Sequence, residues 1–216
     1  MSSLWLVDIE SPLLTDAALA RIDDAERPDR LAWNTFQTLA LWDLDVWVPR
    51  FVEVACGEGN PLEALEWSGA RVRPWGASLS HPSATDVVIE GPEAVIVAVT
   101  TLHPDPAVDE LRAAAMQAIS HMDAVAHRVH PDGPVGFVVV APPGTPDLGP
   151  WLEAAATEPL DDGGSAEVVP DCSGWITWRE LGELALDLAE ESDELRGEAV
   201  HRLVSQMQTQ FPDAEL

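Results

Sequence analysis

The sequence predicts a single α/β domain in which a mixed central sheet is flanked by helices. Two β-branched runs, 85–90 and 94–100, stand on either side of a Gly-Pro turn, and a third apolar run, 134–141, follows a long helical pattern. Such a turn between two β-branched runs is typical of a hairpin. A strand that returns after a helical crossover pairs in parallel, so the three runs together indicate a mixed sheet.

Apolar spacing predicts two helices between Pro28 and the hairpin. Pro28 suits a first helical turn, and the segment 30–44 has apolar residues at helical intervals. A second helix follows and ends at Gly57. Residues 58–84 are rich in Gly, Pro and Ser and are predicted to be irregular. The apolar anchors predicted within them are Leu62, Leu65 and Trp67.

The second hairpin strand, 94–100, is apolar on both faces, which predicts a central position in the sheet. A long helix is predicted at about 106–127, before the third strand, and a short helix at 148–156 after it. The acidic, Gly-containing segment 157–174 is predicted to be a loop with a short strand at 166–169.

Two amphipathic helices are predicted to end the chain. Thr177, followed three residues later by Glu180, has the pattern of a capping box. The apolar stripe predicted for the first helix is Trp178, Leu181, Leu184, Ala185 and Leu188, and that for the second is Leu195, Ala199, Val200, Leu203, Val204, Met207 and Phe211. The single domain, 1–216, is therefore predicted to have a core at about 28–141 and a C-terminal helical extension at about 147–216.

The chain is strongly acidic, with 38 Asp and Glu against 11 basic residues and a net charge of −27. All the basic residues are Arg, so a catalytic lysine is impossible. Because affinity for a phosphate backbone comes from Lys and Arg, we do not expect direct nucleic-acid binding. Two interpretations of the acidic excess stay open: a compositional adaptation, or an acidic face that docks on a basic protein or mimics nucleic acid.

The sequence also indicates a cellular setting. No run approaches the roughly 18 apolar residues of a membrane span, and the first residues lack the basic and apolar regions of a signal peptide. We therefore expect a cytoplasmic protein without membrane contact. In that setting Cys56 and Cys172 are predicted to be reduced, buried small hydrophobes rather than a disulfide.

The predicted order of helix, hairpin, crossover helix and strand is similar to the core of the PD-(D/E)XK nuclease superfamily. Residues 85–94 (TDVVIEGPEA) resemble the strand and turn that carry the first carboxylate in bacterial members. The helix that begins at Trp178 resembles a segment that follows the core in such proteins. By element order the resemblance covers 28–141, and it implies a restriction-endonuclease-like α/β sandwich.

The resemblance also implies which residues would form a nuclease metal site. In these nucleases a carboxylate on each of two neighbouring strands binds Mg²⁺, and a lysine two residues after the second carboxylate lies on the same strand face. Asp86 corresponds to the first carboxylate and is the candidate metal ligand. The Glu-x-Lys positions correspond to Ala98-Val99-Thr100, where Ala98 cannot ligate a metal and Thr100 cannot supply a positive charge. The resemblance therefore predicts a nuclease site that has been lost.

A relocated site is the first alternative. Asp86 would act with Glu90 or Glu93, which flank the turn, or with Asp105, which follows the second strand, and Mg²⁺ would be the cofactor. Asp86 and Glu90 share a strand face but lie roughly 13 Å apart at 3.3 Å per residue, too far to chelate one ion.

We therefore expect a non-catalytic PD-(D/E)XK-like protein that has no resident cofactor and acts through a protein partner. The predicted contact surfaces are the acidic C-terminal helices, 180–198, and the loop around Trp75. A nuclease with a relocated site and an acidic DNA mimic or nuclease inhibitor are the alternatives.

Overall fold

A five-stranded mixed sheet lies at the centre of the fold. The computed structural model describes residues 29–74, 87–102, 134–150, 152, 172–190 and 192–213. In chain order the elements are helices α1 (Asp29–Leu39) and α2 (Leu44–Cys56), a 3₁₀ helix (Pro61–Ala64), strands β1 (Arg71–Pro74), β2 (Val87–Glu90), β3 (Val95–Thr100), β4 (Val135–Ala141) and β5 (Ser173–Thr177), and helices α3 (Trp178–Glu190) and α4 (Glu194–Gln210).

The strands lie side by side in the order β1-β2-β3-β4-β5. β2 is antiparallel to both β1 and β3, whereas β4 is parallel to β3 and β5 is parallel to β4. β2 therefore runs opposite to the other four strands. The predicted hairpin, the parallel return of 134–141 and the α/β class with a mixed sheet are confirmed.

β3 occupies the middle of the sheet, as its apolar sequence predicts. All six of its residues are buried. Ile96 and Ala98 belong to the main hydrophobic cluster on one face, and the alternate residues, Val95 and Val97, are equally buried on the other. A strand buried on both faces has the continuous apolar run seen here rather than an alternating one.

One hydrophobic cluster joins the sheet to helices α1, α2, α3 and α4. Phe36 of α1 packs edge-to-face on Phe51 of α2, with ring centroids 6.1 Å apart, and Trp47 completes this aromatic group. The predicted stripe of α3 is buried throughout: Trp178, Leu181, Leu184, Ala185 and Leu188. Helix α2 ends where predicted, at Gly57, whose φ of 90° suits glycine.

Two strands were not predicted. β1 lies within 58–84, which was expected to be irregular, and β5 begins in the last two residues of the predicted loop 157–174 and continues to Thr177. They are short, with four and five residues, and they occupy the two ends of the described strand order. Their sequences, RVRP and SGWIT, contain a proline and a glycine, which lower strand propensity, so pairing with β2 and β4 determines their conformation.

The start of α3 confirms the predicted capping box. The backbone N–H of Glu180 donates to Thr177 Oγ1 at 3.2 Å, and the Thr177 N–H donates to Glu180 Oε2 at 2.7 Å. In α4 the prediction for Leu195 is wrong, because this side chain is 76% exposed. At 100° per residue Leu195 lies about 110° from the centre of the buried stripe. The stripe consists of Ala199, Val200, Leu203, Val204 and Met207.

Three further predicted elements lie wholly or partly outside the residues that the structure describes. The predicted helix at 106–127 and strand at 166–169 lie outside the described residues, and only part of the predicted helix at 148–156 lies within them. Among the described helices, none has the length and apolar character that crossing a bilayer requires.

Candidate functional site

Ala98, Val99 and Thr100, the positions at which the sequence resemblance predicts a lost Glu-x-Lys motif, lie at the C-terminal end of β3. Ala98 is completely buried and stands in register with Val87 of β2 and Val138 of β4. Thr100 is 6% exposed and is the only polar residue of the strand. This end of β3 therefore contains neither a carboxylate nor a cation. The candidates Asp86 and Asp105 lie outside the described residues.

Glu90 lies at the opposite end of the hairpin from these positions. Its partner in register is Val95, at the start of β3, and Arg71 of β1 lies directly across from it. Arg73 Nε is 2.7 Å from Glu90 Oε2. Because alternate strand residues share a face, both guanidinium groups lie on the same side of the sheet as the Glu90 carboxylate.

This ion pair opposes the binding of a metal ion by Glu90. A guanidinium beside the carboxylate competes with a metal ion for the same oxygens and opposes the approach of a cation. Glu93 is exposed in the turn that follows. The structure thus brings Glu90 together with Arg73 and not with the end of β3. Across the described ranges, no group of three or more His, Cys, Asp or Glu side chains converges.

The acidic C-terminal helices present a defined surface, which we call the acidic helical face. Its members are the exposed acids of α3 and of the start of α4: Glu183, Asp187, Glu190, Asp193, Glu194 and Glu198. Three of them have arginine partners within these helices, in the pairs Arg179–Glu183, Arg196–Asp193 and Arg202–Glu198. In the part of the chain that the structure describes, Asp187, Glu190 and Glu194 have no ion-pair partner.

A groove of about 970 Å³ runs along the outside of α4 next to this face. Its lining includes Asp193, Glu194, Gly197, Glu198 and His201. A methyl group added to Gly197 would meet no atom within 4 Å, so the groove is open above this residue. The charge count predicts an acidic surface here, but only the structure separates the exposed acids from the buried apolar stripe and reveals the groove.

Comparison of the chain with protein-family models, with curated proteins and with solved structures found no match.

The two cysteines lie near each other where α2 meets β5. Cys56 is the last residue of α2, and Cys172 directly precedes β5. Both are present as thiols. Burial, together with the neighbouring negative charges of Cys172 and Glu63, raises the pKa of the Cys56 thiol from 9.0 to about 12. Cys56 is therefore a neutral thiol at physiological pH.

This pKa predicts an alkaline loss of stability. The unfolded chain releases the Cys56 proton above pH 9, whereas the folded chain retains it until about pH 12. The folded state then binds more protons, so the free energy of unfolding falls across this window, on the order of 1 kcal/mol per pH unit. With neither Lys nor Tyr in the chain, cysteines are the only side chains that titrate there.

Urea unfolding at several pH values between 8 and 11 measures this slope. We expect stability to be level up to about pH 9 and to fall above it, and we expect Cys56→Ala to have a clearly smaller slope. Equal slopes in the two proteins would contradict a burial-raised pKa at Cys56.

Proposed function

We propose that the chain is a non-catalytic PD-(D/E)XK-like protein that acts in the cytoplasm through a protein partner. The observation that carries the proposal is the buried Ala98-Val99-Thr100 at the end of β3. A nuclease of this kind needs the second carboxylate to share the metal ion and the lysine to orient water. Neither chemical group exists at these positions.

The arrangement of the strands supports the fold part of the proposal. The resemblance implies a helix, three strands paired antiparallel, a crossover helix, which would fall outside the described residues, and a fourth strand that returns in parallel. Helix α2, the antiparallel series β1-β2-β3 and the parallel strand β4 follow this order. The sequence predicts only two of the antiparallel strands, so β1 adds independent support for a restriction-endonuclease-like sandwich.

The acidic helical face supports the partner part of the proposal. Asp187, Glu190 and Glu194 leave this surface with an excess of negative charge that no arginine of the described residues compensates. Complementary charge accelerates association and selects partners, so we propose a partner with a basic surface. The face also supports the second candidate, a DNA mimic, because exposed carboxylates in rows can replace phosphates on a nucleic-acid-binding protein.

A relocated metal site is less well supported. The Glu90 carboxylate already pairs with Arg73 at 2.7 Å. A metal ion would have to displace this guanidinium.

A matched pair of triple variants tests the role of the acidic helical face. The test variant is Asp187→Asn, Glu190→Gln and Glu194→Gln. The control neutralises three exposed acids elsewhere: Glu53→Gln, Glu58→Gln and Glu66→Gln. Both variants lose the same charge, so a difference between them reports the location of the binding surface.

The readout is the amount of protein captured from a cell lysate at low and high salt. We expect the wild type and the control to capture the same partner, the test variant to lose it, and high salt to weaken the complex. If DNA competes the partner away, the DNA-mimic function is favoured. Capture of no protein by the wild type, or equal capture by both variants, would contradict the proposal.

A further inference from the structure

The two thiols lie near each other in the core, where the end of α2 is in close contact with β5. A Cβ added at Gly174 would lie 2.7 Å from Cys56 Sγ, so the Cys56 thiol rests directly on this glycine. Cys172 stands two residues before Gly174. Two residues of chain span at most about 7 Å, so Cys172 lies within that distance of Gly174.

Burial supports this placement of the second thiol. Cys172 is buried in the same hydrophobic cluster as Ile176, which shares the face of β5 on which Gly174 lies, and Cys56 packs against that cluster. The influence of Cys172 on the Cys56 pKa agrees with their proximity. The two side chains also differ in access, because Cys56 is partly exposed and Cys172 is 2% exposed.

We propose that Cys56 and Cys172 form an oxidisable pair that a hydroperoxide converts into a disulfide between the end of α2 and the start of β5. The inference is independent of the proposed function. It assigns the more accessible Cys56 as the thiol that meets the oxidant and the buried Cys172 as the thiol that resolves the product.

The chemistry has two balanced steps when hydrogen peroxide is the oxidant. The sulfur of Cys56 attacks one peroxide oxygen, the O–O bond breaks, and a sulfenic acid and one water form. The sulfur of Cys172 then attacks the Cys56 sulfur, the S–O bond breaks, and a disulfide and a second water form. The two thiols together lose two electrons and two protons, and the peroxide is reduced to two waters.

The surroundings of Cys56 make the first step slow at neutral pH. The thiolate is the attacking species, and burial together with Cys172 and with Glu63 of the 3₁₀ helix keeps the pKa of Cys56 near 12. The rate of oxidation should therefore rise about tenfold per pH unit between pH 7 and pH 9. The disulfide would act as a slow covalent lock of β5 on α2 rather than as a rapid sensor.

Peptide mapping tests the proposal on the full chain. The folded protein is treated with hydrogen peroxide, remaining thiols are blocked with N-ethylmaleimide, and the chain is cleaved with trypsin. Cleavage after arginine places Cys56 in peptide 51–71 and Cys172 in peptide 129–179. We expect these two peptides to be linked in a monomeric product that is lighter by two hydrogens, and dithiothreitol to separate them.

Two variants assign the roles. Cys172→Ser should stop at the sulfenic acid of Cys56, which dimedone traps, and Cys56→Ser should leave Cys172 unoxidised. If either variant fails to fold, the peptide map of the wild-type protein is sufficient to decide the test. Both thiols unmodified after prolonged treatment at pH 9, oxidation without a link between the peptides, or links only between chains would overturn the proposal.

Discussion

Gly174→Ala is expected to lower the free energy of unfolding by about 3 kcal/mol or more. The added Cβ would lie 2.1 Å from the carbonyl oxygen of Ala55 and 2.7 Å from Cys56 Sγ. The nearer atom belongs to the backbone of α2 and cannot move aside by a change of rotamer. The last turn of α2 must therefore shift away from β5. Urea unfolding followed by tryptophan fluorescence measures the loss.

Gly197→Ala is the matched control for this substitution. Gly197 lies within α4, and a Cβ there would meet no atom within 4 Å. Alanine favours a helix interior over glycine, so we expect this variant to be more stable than the wild type by about 0.5–1 kcal/mol. If Gly174→Ala were as stable as Gly197→Ala, the close packing of α2 on β5 described above would be wrong.

Trp67→Ala should cost about 3–5 kcal/mol, the second large effect that the structure predicts. Trp67 is completely buried and connects three parts of the fold. Its Nε1–H donates to the Leu62 carbonyl oxygen at 3.1 Å, and its backbone N–H donates to Asp45 Oδ1 at 2.8 Å. A Cβ added at Gly91, in the β2–β3 turn, would lie 2.8 Å from the Trp67 ring, so the ring packs closely on the hairpin.

Two further variants separate the contributions of Trp67. Trp67→Phe keeps an aromatic ring but loses the hydrogen bond to Leu62, and we expect it to retain much more stability than Trp67→Ala. Val54→Ala truncates an apolar residue that is 45% exposed and should change stability by less than about 0.5 kcal/mol. Equal unfolding midpoints for Trp67→Ala and Val54→Ala would contradict the role of Trp67 as an anchor.

Local sequence patterns account for much of the fold. The β2–β3 hairpin follows from two β-branched runs around a Gly-Pro turn, and the start of α3 follows from the spacing of Thr177 and Glu180. These features depend on residues within one turn or one strand. β1 and β5 could not be predicted in this way, because their short sequences become strands only by pairing with distant partners.

The same distinction applies to the candidate site. The absence of Glu-x-Lys is visible in the sequence, since the three positions are consecutive. The pairing of Glu90 with Arg73 was not predictable, because it depends on β1, which the sequence does not indicate. Likewise, helical spacing places Leu195 at the margin of its stripe, and only the packing of α4 shows that the residue remains exposed.

A Mn²⁺ titration by calorimetry, on the wild type and on Asp86→Ala, tests the central claim most directly, because it requires no knowledge of a substrate. The claim is that the chain lacks the second half of a nuclease metal site. We predict no saturable binding in the micromolar-to-millimolar range for either folded protein. Saturable binding by the wild type that Asp86→Ala abolishes would contradict the account and favour a metal-dependent nuclease with a relocated site.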